Sequence, residues 1–196
     1  MLPLDCDDRC MEQATAKGSI LIATLEFLER EMTRQQLDEI LATVDRGRAM
    51  TARNKILPTT RVPIDLLNRL ITTAATMKRE PVEKFARRAG HYAANSSLKG
   101  VYRMFARLIS PDTSVMRIAA LWPSIYDRGK MVATRGPGNA ATVKVVDFKF
   151  ERPTCERIHG WLECIVEIGG RPNGRVEQTQ CCSRGDNHCE WRLTWD

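Results

Sequence analysis

RVEQTQCCSRGDNHCEWRLTW, residues 175–195, decides the fold. On either side of Gly185-Asp186 polar and apolar residues alternate with a period of two, the pattern of half-buried strands. Arg175 to Cys182 and Cys189 to Trp195 are therefore two antiparallel strands around a turn. Moving toward the N-terminus, Pro153 to Ile168 changes to a helical period, with Ile158, Leu162, Ile165 and Val166 facing inward. Gly169-Gly170 is expected to end that helix in a left-handed cap, where glycine costs little. Before it, Met131 to Arg135 and Ala141 to Phe150 read as two more strands joined by Gly136-Pro137-Gly138-Asn139.

Upstream of Gly129 the period is helical. Ile20, Leu21, Leu25, Leu28 and Met32 share one face, and Leu37, Ile40, Leu41 and Val44 share another that ends near Gly47. Pro58 and Pro63 make Asn54 to Pro63 a loop, and Pro63 then stands at the start of a helix carrying Leu66, Leu67, Leu70 and Ile71. Pro81 opens a helix with Val82, Phe85, Ala86 and Ala89 buried. Leu98 to Ile109 is a further helical run. Ser110-Pro111-Asp112 starts the last one, with Val115, Ile118, Ala119 and Trp122. The predicted fold is α+β: a helical N-terminal layer packed on a four-stranded, mainly antiparallel sheet interrupted by one long helix. Residues 1–15 form an N-terminal extension, and residues 16–196 one domain with a helical part (16–128) and a sheet part (129–196).

The chain has 196 residues, 43% of them hydrophobic, enough for a core that needs no disulfide scaffold. It has no apolar run of ~18 residues that would span a bilayer. Met1-Leu2-Pro3-Leu4-Asp5-Cys6-Asp7-Asp8 is acidic where a signal peptide would be basic, so a cytoplasmic location with reduced cysteines is expected. The formal net charge is +6, yet Lys and Arg are scattered and no basic tract or aromatic ladder points to nucleic acid. A nucleophile elbow, a phosphate loop and a dinucleotide fingerprint are all missing, so catalysis is not expected.

Chemistry concentrates in the last helix and the ribbon after it. Cys155 falls in the helix's first turn, and Cys181 and Cys189 flank the ribbon's bend, so the three thiols can converge. Thiolate sulfur is soft and charged and suits zinc. Strand alternation sets Glu177, Thr179 and Cys181 on one face, which makes Glu177 a fourth ligand. A two-residue turn at Gly185-Asp186 would place Cys182 opposite Cys189; a longer loop would place Cys181 there. His159, four residues after Cys155, is an alternative ligand, while His188 in the turn is expected in solvent. Cys6 and Cys10 are two thiols near a terminus that frays.

Cys155-x4-Gly160-Trp161, Val176-Glu177-Gln178-Thr179-Gln180-Cys181 and Gly185-Asp186-x2-Cys189-Glu190-Trp191 together resemble the C-terminal signature of the 4-vinyl reductase-type small-molecule-binding domain. That superfamily is read as sharing its fold with the ligand-binding domains of NO-signalling and Golgi-transport proteins. Lys17-Gly18-Ser19, Trp122-x3-Tyr126-x2-Gly129 and Trp195 are similar to a bacterial paralogous family of about this length. The resemblance implies a sensor that binds a small hydrophobic or aromatic molecule, with structural zinc on Cys155, Cys181 and Cys189. The acidic position of the related phenol sensors is Gln178 here, with Glu177 beside it. His91, Trp122 and Tyr126 stand roughly where those sensors read a phenolic hydroxyl. The related gas-sensing fold implies a helix histidine on heme, for which His91 and His159 are the helix-embedded candidates. The Tyr-x-Ser-x-Arg clamp on the propionates is missing, so neither heme nor nucleotide is expected. With no output domain after Asp196, the signal is expected to pass to a partner protein from a homodimer. The alternatives are a dimeric adaptor with no ligand and a thiol-dependent enzyme.

Overall fold

The structure is a computed structural model that describes residues 14–45, 56–97, 111–148, 151–169 and 173–196. In chain order these form β1 (Thr15–Lys17), α1 (Gly18–Glu31), α2 (Arg34–Asp45), β2 (Arg61–Pro63), α3 (Ile64–Lys78), α4 (Val82–Ser97), α5 (Pro111–Ile125), β3 (Lys130–Arg135), β4 (Ala140–Val146), α6 (Arg152–Ile168), β5 (Arg175–Gln180) and β6 (Cys189–Thr194). The helix expected over Leu98 to Ile109, and Cys6 and Cys10, lie outside the described residues.

The four-stranded sheet has the order β3-β4-β6-β5 with every neighbouring pair antiparallel. Its inner strands show the alternation that built them. Cys189, Trp191 and Leu193 are fully buried on β6, and Val143 and Val145 on β4, while Arg192 between them is exposed. The helix between the two hairpins is α6, and the architecture is the α+β arrangement described above.

Two local readings change. Gly169 caps α6 in a right-handed conformation, φ −60 and ψ −6, instead of a left-handed one. The stretch expected to be loop up to Pro63 contains β2, which pairs with β1 in a separate two-stranded sheet, Ala16 opposite Val62. Three-residue strands are too short to carry a period, which is why only the proline signal was visible. Gly18 at the end of β1 is obligatory: a Cβ there would stand 2.3 Å from the Leu57 carbonyl oxygen.

The organising element is α6. Along it Thr154, Cys155, Glu156, Ile158, His159, Leu162, Ile165 and Val166 are all buried, so its first half is enclosed on every side, while Glu163 and Glu167 open one face of the second. It runs beside α4 in the same direction, from Arg152 near Glu83 at 3.7 Å to Cys164 packed with Ala94. Their backbones touch. A Cβ on Gly90 would lie 1.9 Å from the Arg157 carbonyl oxygen, and one on Gly160 would lie 1.9 Å from that of Arg87. Between the two glycine contacts Glu156, 1% exposed, accepts hydrogen bonds from Arg87 Nη2 at 2.6 Å and Nε at 3.0 Å, and Arg152 Nη2 approaches it at 3.0 Å. At the same level Thr154 Oγ1 donates to Asn68 Oδ1 at 2.7 Å, and Asn68 donates to Glu151, tying α6 to α3.

Gly90→Ala is expected to destabilise the fold at or above the upper end of the ~1–3 kcal/mol typical of overpacking, because a backbone and not a side chain must move. An exposed Ala120→Gly control on α5 should cost only the ~1 kcal/mol of helix propensity. Urea unfolding of both variants checks this; equal costs would mean that the helices separate without penalty. Glu156→Gln should cost about 2–4 kcal/mol by the same measurement, since it leaves two guanidinium groups facing a neutral amide.

Candidate ligand cavity and thiol cluster

The β5–β6 connection is longer than a two-residue turn. A short 3₁₀ turn, Cys182–Arg184, precedes Gly185, whose φ of 96° is the left-handed value that glycine accepts readily. The Asp186 carboxylate closes the bend by accepting the Cys181 N–H at 2.7 Å. The result turns Cys181 inward. The sulfur atoms of Cys155, Cys181 and Cys189 all lie within 4.8 Å of one another, and all three residues are fully buried. Cys155 is 3.5 Å from both other sulfurs, and Ser183 Oγ is 2.9 Å from Cys181 Sγ. Cys182 is only half-buried; its N–H points at Cys189 Sγ at 3.4 Å, and its own sulfur faces the Phe148 carbonyl.

Glu177 does not join them. It is exposed on β5 and lines a charged surface cleft with Arg192 and Glu167. The register explains the difference: a bulge between Gln178 and Gln180 puts Cys181 out of the alternation that linked it to Glu177. His159 is buried on α6 with Nε2 3.2 Å from Glu163, so its partner is a carboxylate and not the thiols. His188 is half-buried near Glu190 at 3.7 Å.

A second feature lies on the other side of α6. A cavity of about 340 Å³, partly open at one side, is walled by one face of each of four helices. On α6 the face is Arg157, Trp161 and Ile165 at steps of four, joined by Ile158; on α5 it is Leu121, Trp122 and Ile125, with Tyr126 just beyond. Small residues of α4 (Gly90, Ala93, Ala94) and of α1 (Ala23) leave the space. The volume falls within the ~300–1,000 Å³ of small-molecule sites. Trp122 stacks on Tyr126 at 4.3 Å and donates Nε1–H to the Arg128 carbonyl at 3.0 Å, which fixes the aromatic wall.

The cation of this wall is Arg157, 7% exposed, with its Nε lacking any hydrogen-bond partner. Burial pushes its pKa below arginine's ordinary range and pushes that of Tyr126 above tyrosine's, each shift partly offset by the other group. Arg157 was not among the residues singled out from the sequence, although its spacing to Trp161 and Ile165 placed one cation on an otherwise apolar stripe. Trp122 and Tyr126 line the cavity. His91 does not: it is one residue past Gly90, roughly 100° around α4, and its Nε2 meets Glu167 at 2.8 Å in solvent.

No family model and no curated protein matches the chain. Solved structures do. An H-NOX protein from S. oneidensis in the Fe(II)NO ligation state superposes with a TM-score of 0.73 at 13% identity, over 92% of this chain and 99% of that one. An oxygen-binding H-NOX domain related to soluble guanylate cyclases, in its oxygen complex, gives 0.69 at 16% identity over 92% and 95%. A structure probing heme distortion in the H-NOX family gives 0.71 at 16% identity over the same shares. The fold is that of the H-NOX domains.

This overturns two expectations. The resemblance to the 4-vinyl reductase-type domain does not stand, since the fold matches are H-NOX domains. Its motif residues Cys155, Gly160, Cys181, Cys189 and Trp191 are the buried contacts of α6 and the β5–β6 ribbon, and such packing positions identify no family. The zinc expected on the converging thiols, and strengthened by that resemblance, finds no support in the matched structures. The expectation that no heme belongs here is also corrected, because matched H-NOX structures carry heme. Among the described residues no helix is long and apolar enough to cross a membrane.

The thiols carry a pH signature. Cys189 accepts from Cys155 and from the Cys182 N–H, and its thiol is pushed down to about 6; Cys155, the donor in that pair, is pushed up. Between pH 6 and the unfolded thiol value of about 8.5, the unfolded chain holds a proton that folded Cys189 has released, so stability rises with pH. Above that value the unfolded chain loses the proton that folded Cys155 keeps, and stability falls. Urea unfolding across this range should show a maximum near pH ~8.5, and Cys189→Ser should remove the rising limb. A wild-type profile identical to that of Cys189→Ser would rule out the shared thiolate.

Proposed function

We propose that this chain is a non-catalytic sensor domain that holds a small molecule in the cavity between α1, α4, α5 and α6 and passes the bound state to a partner protein. The observation that carries the reading is the preformed cavity itself, with an aromatic wall and one buried cation, in a fold whose matched structures include NO- and oxygen-bound proteins. Fold alone does not fix function, so the argument stays with the cavity. A homodimer, its sheet and thiol brace intact, belongs to the same proposal.

Heme is the group the matched structures bring with the fold. Iron in heme takes a His, Cys, Met or Tyr side chain as its axial ligand. The chain has three histidines, and none of them lines the cavity, whereas Tyr126 and Met131 do. A histidine-held heme does not fit this pocket. The donors the chain presents are the Met131 thioether and the Tyr126 phenol, whose ionisation is opposed by burial and only partly favoured by the charge of Arg157.

The three buried thiols are read here as the brace that locks the β5–β6 ribbon onto α6, on the side away from the cavity. Glu177 has no part in it.

Native mass spectrometry of freshly purified protein should show a small-molecule mass that denaturation releases. Ala93→Trp, which fills the cavity from α4, should abolish it without unfolding the domain. Absorbance of the same sample reports heme separately, and any heme band should weaken in Tyr126→Phe. Retention of the same bound mass in Ala93→Trp would refute the cavity as the binding site.

A further inference from the structure

We propose that the cavity is a carboxylate site: an apolar acid fills the space between the helices and its carboxylate docks on Arg157, with Tyr126 beside it. This rests on the sensor reading above and names the ligand class of that site.

The argument starts from what Arg157 lacks. Its side chain is almost fully buried, its Nε has no hydrogen-bond partner, and among the described residues no carboxylate pairs with it. The other cationic side chains of the α4–α6 interface are matched: Arg87 and Arg152 by Glu156, and Arg88 by Glu31 and Glu80. An unpaired buried charge is among the costliest features a fold can hold. Arg157 faces a cavity, and an anion entering there supplies the missing partner.

The chemistry narrows the anion. A guanidinium is a planar fork of donors that matches a carboxylate with two parallel hydrogen bonds. The Tyr126 phenol, held un-ionised by its burial, adds an O–H donor. Apart from Ser19 and Ser97 the remaining wall is apolar, with Ile20, Ile125, Ile158 and Trp161 among it, and rewards a largely hydrocarbon body. A volume of about 340 Å³ lies at the small end of the ~300–1,000 Å³ of small-molecule sites and suits a medium-chain or single-ring acid. A carboxylate-bearing macrocycle such as heme is larger than this space and presents the same head group only through the cavity's open side; the test separates the two sources.

Trp122 and Trp161 in the wall make tryptophan fluorescence the readout. Titration of the full chain with octanoate and with octan-1-ol, which differ in charge and hardly in shape, should show octanoate bound at least tenfold more tightly, about 1.4 kcal/mol. Arg157→Met should abolish that preference by weakening octanoate binding, and Arg157→Lys should restore part of it. Hemin titration followed by absorbance is the third arm: uptake that Arg157→Met weakens supports the carboxylate site with heme as its source. Equal binding of octanoate and octan-1-ol to the wild type, with hemin uptake indifferent to Arg157→Met, overturns the carboxylate assignment and leaves the cavity reading standing. If none of the three probes binds, the cavity reading falls with it. The wild-type comparison needs no variant, so a failure of Arg157→Met to fold does not blunt the test.

Discussion

The backbones of α4 and α6 touch, and the rest of the molecule is arranged around that contact. Two glycines make it, each opposite the carbonyl group of an arginine on the other helix, with no room for a methyl on either side. A glycine inside a helix costs about 1 kcal/mol relative to alanine, so this closeness is bought locally and recovered in packing. At that distance Glu156 reaches Arg87 across the interface. Burying a carboxylate is tolerable only with such partners.

Because α6 advances about 100° per residue, its first turns address a different neighbour at every position. Thr154 bonds to Asn68 on α3, Cys155 meets the ribbon thiols, Glu156 meets α4, and Arg157 faces the cavity. Four consecutive residues thus fix α6 against three elements and present a cation to the fourth side. The thiols do two jobs in this scheme: they pack as small apolar groups, and they form a directional network that selects Cys181, and not Cys182, as the ribbon's inward residue.

Much of this was legible. Period-two alternation over 175–195 and the helical period over 153–168 defined the ribbon and α6, and the three cysteines were expected to converge from those two elements alone, as they do. What failed did so for physical reasons. Glu177 was placed by ideal alternation, and a bulge of one residue reverses a strand's facing. His91 was placed by the resemblance, and its helical angle carries it to the outer face. Arg157 was passed over because charge is normally a sign of solvent. A lone cation on an apolar stripe says nothing of its surroundings until the stripes of α1, α4 and α5 are seen to close over it. The resemblance misled because cysteine, glycine and tryptophan spacings recur wherever a helix packs on a ribbon.

The position of Arg157 also says how occupancy would be felt. Its carbonyl oxygen lies at the Gly90 contact and its side chain in the cavity, so a single residue belongs to both the packing seam and the ligand wall. In the free protein the desolvated guanidinium works against the burial of α6, at the point where that helix is most tightly packed. An anion that neutralises it removes this opposition and adds its binding free energy to the native state alone. The helix so stabilised carries Cys155 and Glu156, the residues that hold the ribbon and α4. Ligand binding at Arg157 would therefore be coupled to the stability of the α4–α6 seam and of the sheet edge braced on it, without any need for a large movement.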